Sequence, residues 1–226
     1  MNDLNKHEML TGLVDRSMPG ESIVSTTLPL CDEINLYLVA SSQPESKSIQ
    51  DNLQQLMETP PYWALCWAGG QVLARYMLSN PDQIKGRSVV DFGAGSGVVA
   101  IAAAMAGAKK VWACDCDTEA LIAIKENAAL NNVTVEVIER IEEIDESIDI
   151  IAAADLLYDN TNLPLLEQFI ETSETVLIAD SRFTEFDLPN QRLLLEQLAA
   201  TCPDLDNTGE YSQVSLYQFT AGSRSG

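Results

Sequence analysis

Asp91, Phe92, Gly93, Ala94, Gly95, Ser96 and Gly97 follow directly on the apolar run Ser88, Val89 and Val90, and an alanine-rich stretch comes after them. A strand that ends in such a turn and enters a helix exposes backbone N–H groups at the carboxyl edge of a sheet, where open α/β folds bind nucleotides. Glycine lets a ligand approach that backbone closely. A dinucleotide fingerprint spaces its glycines G-x-G-x-x-G. Here Val98 stands where the third would fall, and the spacing is G-x-G-x-G. Asp91 closes the strand. A carboxylate there suits the ammonium of a methionine-like group, directly or through the turn, and repels a pyrophosphate. The pattern therefore favours S-adenosylmethionine (AdoMet) over NAD.

Asp115 ends the next apolar run, Val111 to Cys114, about 20 residues past the glycines. An acid at the end of the second strand can accept two hydrogen bonds from a ribose diol, which points to a nucleoside without choosing its kind. Asp117 reads as charge at a helix N-terminus. Cys114 and Cys116 have the spacing of half a metal site but no second ligand pair, and the single histidine, His7, is far away in sequence. They read as small buried thiols on a strand, and no metal is expected.

These residues need a frame. Short strands are expected over 88–92, 110–114, 134–138, 148–154 and 175–179, with helices over 96–106, 118–131, 163–171 and 191–201 between and after them. Residues 211–219 alternate as a last strand. Thr118 before Glu119 is the expected helix N-cap. Strands alternating with helices mean βαβ units, an α/β fold and a mainly parallel sheet. Ahead of them, Val72, Leu73, Tyr76 and Met77 sit at helical spacing, and that run stops at Asn80 and Pro81. Two further strands are expected over 22–27 and 33–39, then a helix-like run over 49–57 and a break at Pro60 and Pro61. Residues 1–60 are expected to be an extension packed on a core domain of 61–221, with 222–226 a tail.

Composition narrows the function. The chain has 226 residues and a net charge of -21, with 13 basic against 34 acidic side chains. A phosphate backbone is recognised by Lys and Arg, so nucleic acid is not the expected partner. The acidic balance suits a basic or lysine-bearing protein. The apolar stretches are short and interrupted, the N-terminus has no basic-then-apolar leader, and five cysteines make an odd count. No membrane association, a cytoplasmic location with reduced thiols, and a monomer are expected.

Four blocks carry a family likeness: Pro61 to Ala64 with Cys66 to Gln71, Asp91 to Gly97, Ala113 to Asp117, and Ala154 to Asp159. The chain resembles class I AdoMet-dependent methyltransferases from about residue 28 to 220. More closely it is similar to the seven-strand protein lysine methyltransferase branch that includes the electron transfer flavoprotein β-subunit enzymes. The resemblance implies a Rossmann-like sheet of seven strands, mostly parallel, with an antiparallel C-terminal strand. It implies that Gly93, Ala94 and Gly95 pass close to the methionine part of AdoMet and that Asp115 holds its ribose. Trp67, Gly69 and Gly70 would close the cofactor pocket. Asp155 and Tyr158, of the D-x-x-Y motif, would lie beside the acceptor lysine, and Glu139, Arg140 or Ile141 would meet the adenine. The relatives read G-D-P-G-R after the fifth strand, where this chain has Ala179, Asp180, Ser181, Arg182 and Phe183.

Methyl transfer from a sulfonium is an in-line displacement on an already activated donor, so the protein mainly positions the nucleophile and excludes water. A lysine amine must first lose its proton, and Asp155 and Tyr158 are the candidates to orient it. Adenine and glutamine N-methyltransferases carry N-P-P-Y or D-P-P-Y where Asp155, Leu156, Leu157 and Tyr158 stand. Pro60, Pro61 and Tyr62 precede the glycine turn and could serve that role only in a permuted chain. Trp63 and Trp67, four apart, either stack on a ligand or pack in the core.

Overall fold

The computed structural model describes residues 3–40, 61–156, 163–182, 191–204 and 212–220. A small sheet pairs β1 (Ile23–Thr27) with β2 (Asn35–Val39) antiparallel. A second sheet contains β3 (Ser88–Phe92), β4 (Lys110–Cys114), β5 (Glu136–Ile138), β6 (Ile148–Ala154), β7 (Ser173–Asp180), β8 (Gln191–Ala199) and β9 (Ser212–Thr220). Its spatial order is β5-β4-β3-β6-β7-β9-β8, seven strands in all. The five from β5 to β7 are parallel, and β9 runs antiparallel to both neighbours. The expected α/β sheet with an antiparallel C-terminal strand is therefore present.

The central strands are apolar on both faces because both are covered. Val89, Ile150 and Leu177 pack on one side with α2 (Ala68–Ser79) and α4 (Val98–Met105). Val90, Ile151 and Val176 pack on the other with Leu166 and Phe169 of α6 (Leu163–Thr172). The short α3 (Pro81–Ile84) leads into β3. Alternate residues of each strand thus serve opposite layers, as the two-residue period requires.

An outer layer adds α1 (Asp3–Ser17) and the β1–β2 pair, packed on α5 (Thr118–Leu130). The helix α1 was not expected. Its signal is the buried set Leu10, Leu13, Val14 and Met18, spaced for one helical face. The free edge of β2 is closed by asparagines. Asn35 N–H donates to Asn131 Oδ1 at 3.0 Å and Tyr37 N–H to Asn127 Oδ1 at 2.7 Å. Two strand residues rise about 6.6 Å and four helical residues about 6 Å, so alternate amides of β2 match asparagines one turn apart on α5.

Residues 191–201 correct the expectation. They form not a helix but β8, the outermost strand, paired with β9 from Gln191 opposite Phe219 to Ala199 opposite Ser212. Their Leu, Glu and Gln content favours helix locally, but the register offered by β9 prevails. An irregularity between Leu193 and Leu195 and the exposure of Leu193 and Leu198 explain why no clean alternation announces the strand. The expected helix-like run 49–57 and the tail lie outside the described residues. Among the described residues no helix is long and apolar enough to cross a membrane.

Candidate active site

Three glycines of the turn after β3 have positive φ: Gly93 at 71°, Gly95 at 50° and Gly97 at 80°. An L-residue is strained there, so the turn depends on glycine. A Cβ on Gly93 or Gly95 would meet nothing nearer than 3.6 Å and 3.9 Å respectively, ordinary contact distances, so positive φ and not crowding requires glycine at these two positions. A Cβ on Gly97 would come within 3.3 Å of Ile124 on α5, so that glycine serves close packing. The turn is held from outside. Gly93 and Ala94 N–H donate to Cys114 O at 2.9 and 3.1 Å, and Gly95 N–H donates to Asp115 Oδ2 at 2.8 Å.

Asp91 lies under the turn, 2% exposed, and its Oδ2 accepts from Ala100 N–H at 2.9 Å. Burial first, and the nearby Asp115 charge, push its carboxyl from 3.8 up to about 7 against the opposing Ala100 bond. Of the two expected routes to a ligand ammonium, the buried position suits the one through the turn. Asp115 stands at the mouth. Its Oδ1 accepts from Asp117 N–H at 2.9 Å, and burial raises its carboxyl above the usual range. Each carboxylate oxygen has two acceptor sites, so capacity for a diol remains.

The cap of α5 is Asp117, whose Oδ1 accepts from Glu119 N–H at 2.8 Å, and not Thr118. Asp117 is thus the N-terminal charge expected of it. Cys114 is buried on β4, whereas Cys116 is exposed beyond its end, which corrects the buried reading for that residue. The proposed adenine-side residues follow β5: Glu139 and Arg140 N–H both donate to Glu143 Oε1 at 3.1 and 2.8 Å, and Ile141 packs under the loop.

Asn127, fully buried, joins this turn to the outer layer: it holds Tyr37 N–H and donates from Nδ2 to Ser96 O at 2.9 Å. Asn127→Leu strands both partners in the interior. A loss of about 2–5 kcal/mol in unfolding free energy is expected by urea denaturation, together with weaker AdoMet binding.

The second half of the site is built at the end of β6. Asp155 has φ of 48°, rare for a side-chain-bearing residue. Its N–H is fixed by Ala179 O at 2.9 Å. Its Oδ2 accepts from Gly69 N–H at 2.7 Å, and its Oδ1 from Ser181 Oγ and N–H at 3.0 and 3.3 Å. Gly69 lies in the first turn of α2, where N–H groups lack helical partners and the dipole favours an anion. Burial foremost, then the neighbouring Asp180 charge, push the Asp155 carboxyl above the usual range, while the bonds from Ser181 and Gly69 pull it back.

The two halves adjoin. The position of a Cβ on Gly93 is 3.6 Å from Leu156 Cδ1, and that of a Cβ on Gly70 is 3.0 Å from Val98 Cγ1. Trp67 precedes α2, with its ring tilted against Tyr62 at 5.8 Å and its indole N–H donating to Tyr62 O at 3.3 Å. Trp63 is fully buried among Leu10, Leu13 and Ala120, which settles it as a core residue. Tyr158 lies outside the described residues. Sequence reasoning missed two partners of Asp155. The family likeness places Gly69 on the cofactor side, and its amide also grips this carboxylate. Ser181 stood in the stretch that departs from G-D-P-G-R, and its chemistry became visible only with its neighbour in place.

Comparison with known proteins agrees with this geometry. The family model described as ribosomal protein L11 methyltransferase (PrmA) matches residues 72–181. An electron transfer flavoprotein β-subunit lysine methyltransferase of Danio rerio is 40% identical over 147 residues, covering 62% of this chain and 57% of the relative. The Rattus norvegicus protein of the same description is 35% identical over 198 residues, covering 82% of this chain and 76% of the relative. The matched stretch thus spans little more than half of the zebrafish protein and about three quarters of the rat one. A crystal structure of a proposed RNA methyltransferase from Pyrococcus horikoshii has a TM-score of 0.52 at 23% identity, over 67% of this chain and 82% of that one, a likeness of fold. With this sheet order, this glycine turn and these relatives, the chain belongs to the class I AdoMet-dependent methyltransferases, in the branch of the electron transfer flavoprotein β-subunit lysine methyltransferases.

Proposed function

We propose that the protein methylates the side-chain amine of a lysine in a protein substrate, with AdoMet as donor. The observation that carries the reading is the Asp155 carboxylate, gripped by Gly69 and Ser181 and adjoining the glycine turn through Leu156. The turn suits the cofactor: its positive-φ glycines put no side chain between the backbone and a ligand, with Asp115 at one end and buried Asp91 beneath. Gly93, Ala94 and Gly95 would pass beside its methionine part and Asp115 would take the ribose, with Trp67, Gly69 and Gly70 walling the pocket. AdoMet supplies an activated methyl group, so the chain has only to orient the acceptor and exclude water.

The acceptor arrives as an ammonium ion. Asp155 accepts a hydrogen bond from it and holds it at the end of β6, and Tyr158 of the same D-x-x-Y motif is the second group assigned to orienting it. Desolvation in this half-closed site favours the neutral amine, the form whose nitrogen lone pair attacks. The proton leaves to solvent, and the amine takes the methyl in line. The surplus of 34 acidic over 13 basic side chains favours a basic protein face and disfavours nucleic acid. Five free cysteines suit a reducing, cytoplasmic setting for a monomer.

The relatives' description makes the electron transfer flavoprotein β subunit the first substrate to test. Incubation of that protein with labelled AdoMet is expected to label a lysine, and Asp155→Ala to cut kcat/KM by at least about a hundredfold. Full labelling by the variant would remove Asp155 from the mechanism.

A further inference from the structure

The two oxygens of Asp155 are held from different elements, Oδ2 by Gly69 of α2 and Oδ1 by Ser181 after β7. Ser181, the first residue after β7, donates to that oxygen twice, from Oγ at 3.0 Å and from N–H at 3.3 Å. Its neighbours do otherwise. Asp180 is 1% exposed and its Oδ1 accepts from Arg182 N–H at 2.8 Å, so the loop turns back on itself and presents Ser181 to Asp155.

We infer that Ser181 is a positioning residue, whose hydroxyl and amide together hold the Asp155 carboxylate turned to receive the acceptor amine. The inference rests on the lysine-acceptor reading above. The physical need is clear from the surroundings. Asp155 is turned by its positive φ, and nothing in its own backbone preference fixes its side chain. Among the described residues, the charged and titratable groups around it are Asp180 from β7, which repels it, the Cys66 thiol from the segment before α2, held neutral by burial, and the first turn of α2 through Gly69 N–H. Among the described residues, Gly69 and Ser181 oppose burial and Asp180. A carboxylate freed on its Oδ1 side would rotate away from Asp180 or take up a proton, and a protonated carboxyl is a poorer acceptor for an ammonium.

Ser181→Ala removes the hydroxyl and leaves the amide. The test measures kcat/KM against pH with one protein substrate for the wild type, Ser181→Ala, Ser181→Thr and Asp155→Asn, with AdoMet affinity from calorimetry. Ser181→Ala is expected to lose about tenfold in kcat/KM near neutral pH and to move the acid limb of the profile to higher pH, because a bond that favours the ionised form is gone. Ser181→Thr, which restores the hydroxyl, is expected to stay within about twofold of wild type, and AdoMet affinity to stay unchanged in both. An unmoved acid limb in Ser181→Ala overturns the inference, whether the rate is normal or falls equally at every pH. Failure of the underlying reading looks different: Asp155→Asn would turn over like the wild type.

Discussion

Gly69→Ala is expected to lower methyl transfer by at least about a hundredfold, a larger effect than most substitutions outside the reacting groups. Gly69 occupies an ordinary helical position, and its φ lies outside the left-handed range, so freedom of the backbone is not why glycine is there. Close approach is. A Cβ would lie 2.5 Å from Asp155 Oδ2, 2.8 Å from its Cγ and 2.9 Å from the backbone oxygen of Ala179. The carboxylate could swing aside, but a main-chain carbonyl in the middle of a sheet cannot. Either α2 shifts outward or Asp155 leaves its place, and in both cases the 2.7 Å bond from Gly69 N–H is lost. Overpacking of this kind costs about 1–3 kcal/mol, which a folded domain tolerates. The variant should therefore remain folded, bind AdoMet more weakly where Gly69 walls its pocket, and transfer the methyl slowly even at saturating AdoMet. Thermal unfolding, calorimetry and single-turnover rates separate these outcomes. Near-normal turnover would show that Asp155 need not be held where it is.

The second large effect concerns Asp91. Burial pushes its carboxyl to about 7 from the ordinary 3.8. A carboxyl raised in the folded state binds a proton there that the unfolded chain has already released, so stability falls as pH rises from about 4 to about 7 and levels off above. For a shift of this size the loss is on the order of 4 kcal/mol. Asp91→Asn keeps an acceptor for Ala100 N–H and cannot ionise. It should flatten the pH dependence and leave the unliganded protein more stable than wild type at pH 8. Ligand binding should change in the opposite sense. A cationic methionine group over the turn favours ionised Asp91, so wild-type AdoMet affinity should rise as pH climbs through about 7, with proton release. Calorimetry at pH 6.5 in two buffers of different ionisation heat reads that release directly. The Asn variant should release none and bind more weakly. An identical proton count in both proteins would dissociate Asp91 from the cofactor.

The cofactor half of the site was legible because its signals are local. Positive-φ glycines, a strand-ending acid and a second acid after the next strand follow one another within 25 residues, and the structure brings all of them to one end of the sheet. The acceptor half is assembled from three separated segments, and of its residues Asp155 alone carries a motif that points to the acceptor. Gly69 and Ser181 lie 86 and 26 residues from it, and nothing in either local sequence announces a bond to a carboxylate. The same contrast holds for the sheet. Strands buried on both faces, such as Ile148–Ala154, declare themselves by composition, whereas β8 is half-exposed, irregular and rich in helix formers. Asn127 was equally silent, since a mid-helix asparagine usually faces solvent. Here it stitches β2 to the glycine turn.

The most direct test of the whole account is transfer of label from AdoMet into a fractionated lysate, followed by mass spectrometry of whatever is labelled. Label is expected in protein, on lysine side chains, and absent when Asp155→Ala replaces the wild type. Label confined to RNA or to small metabolites, or AdoMet binding with no transfer to any fraction, would contradict it.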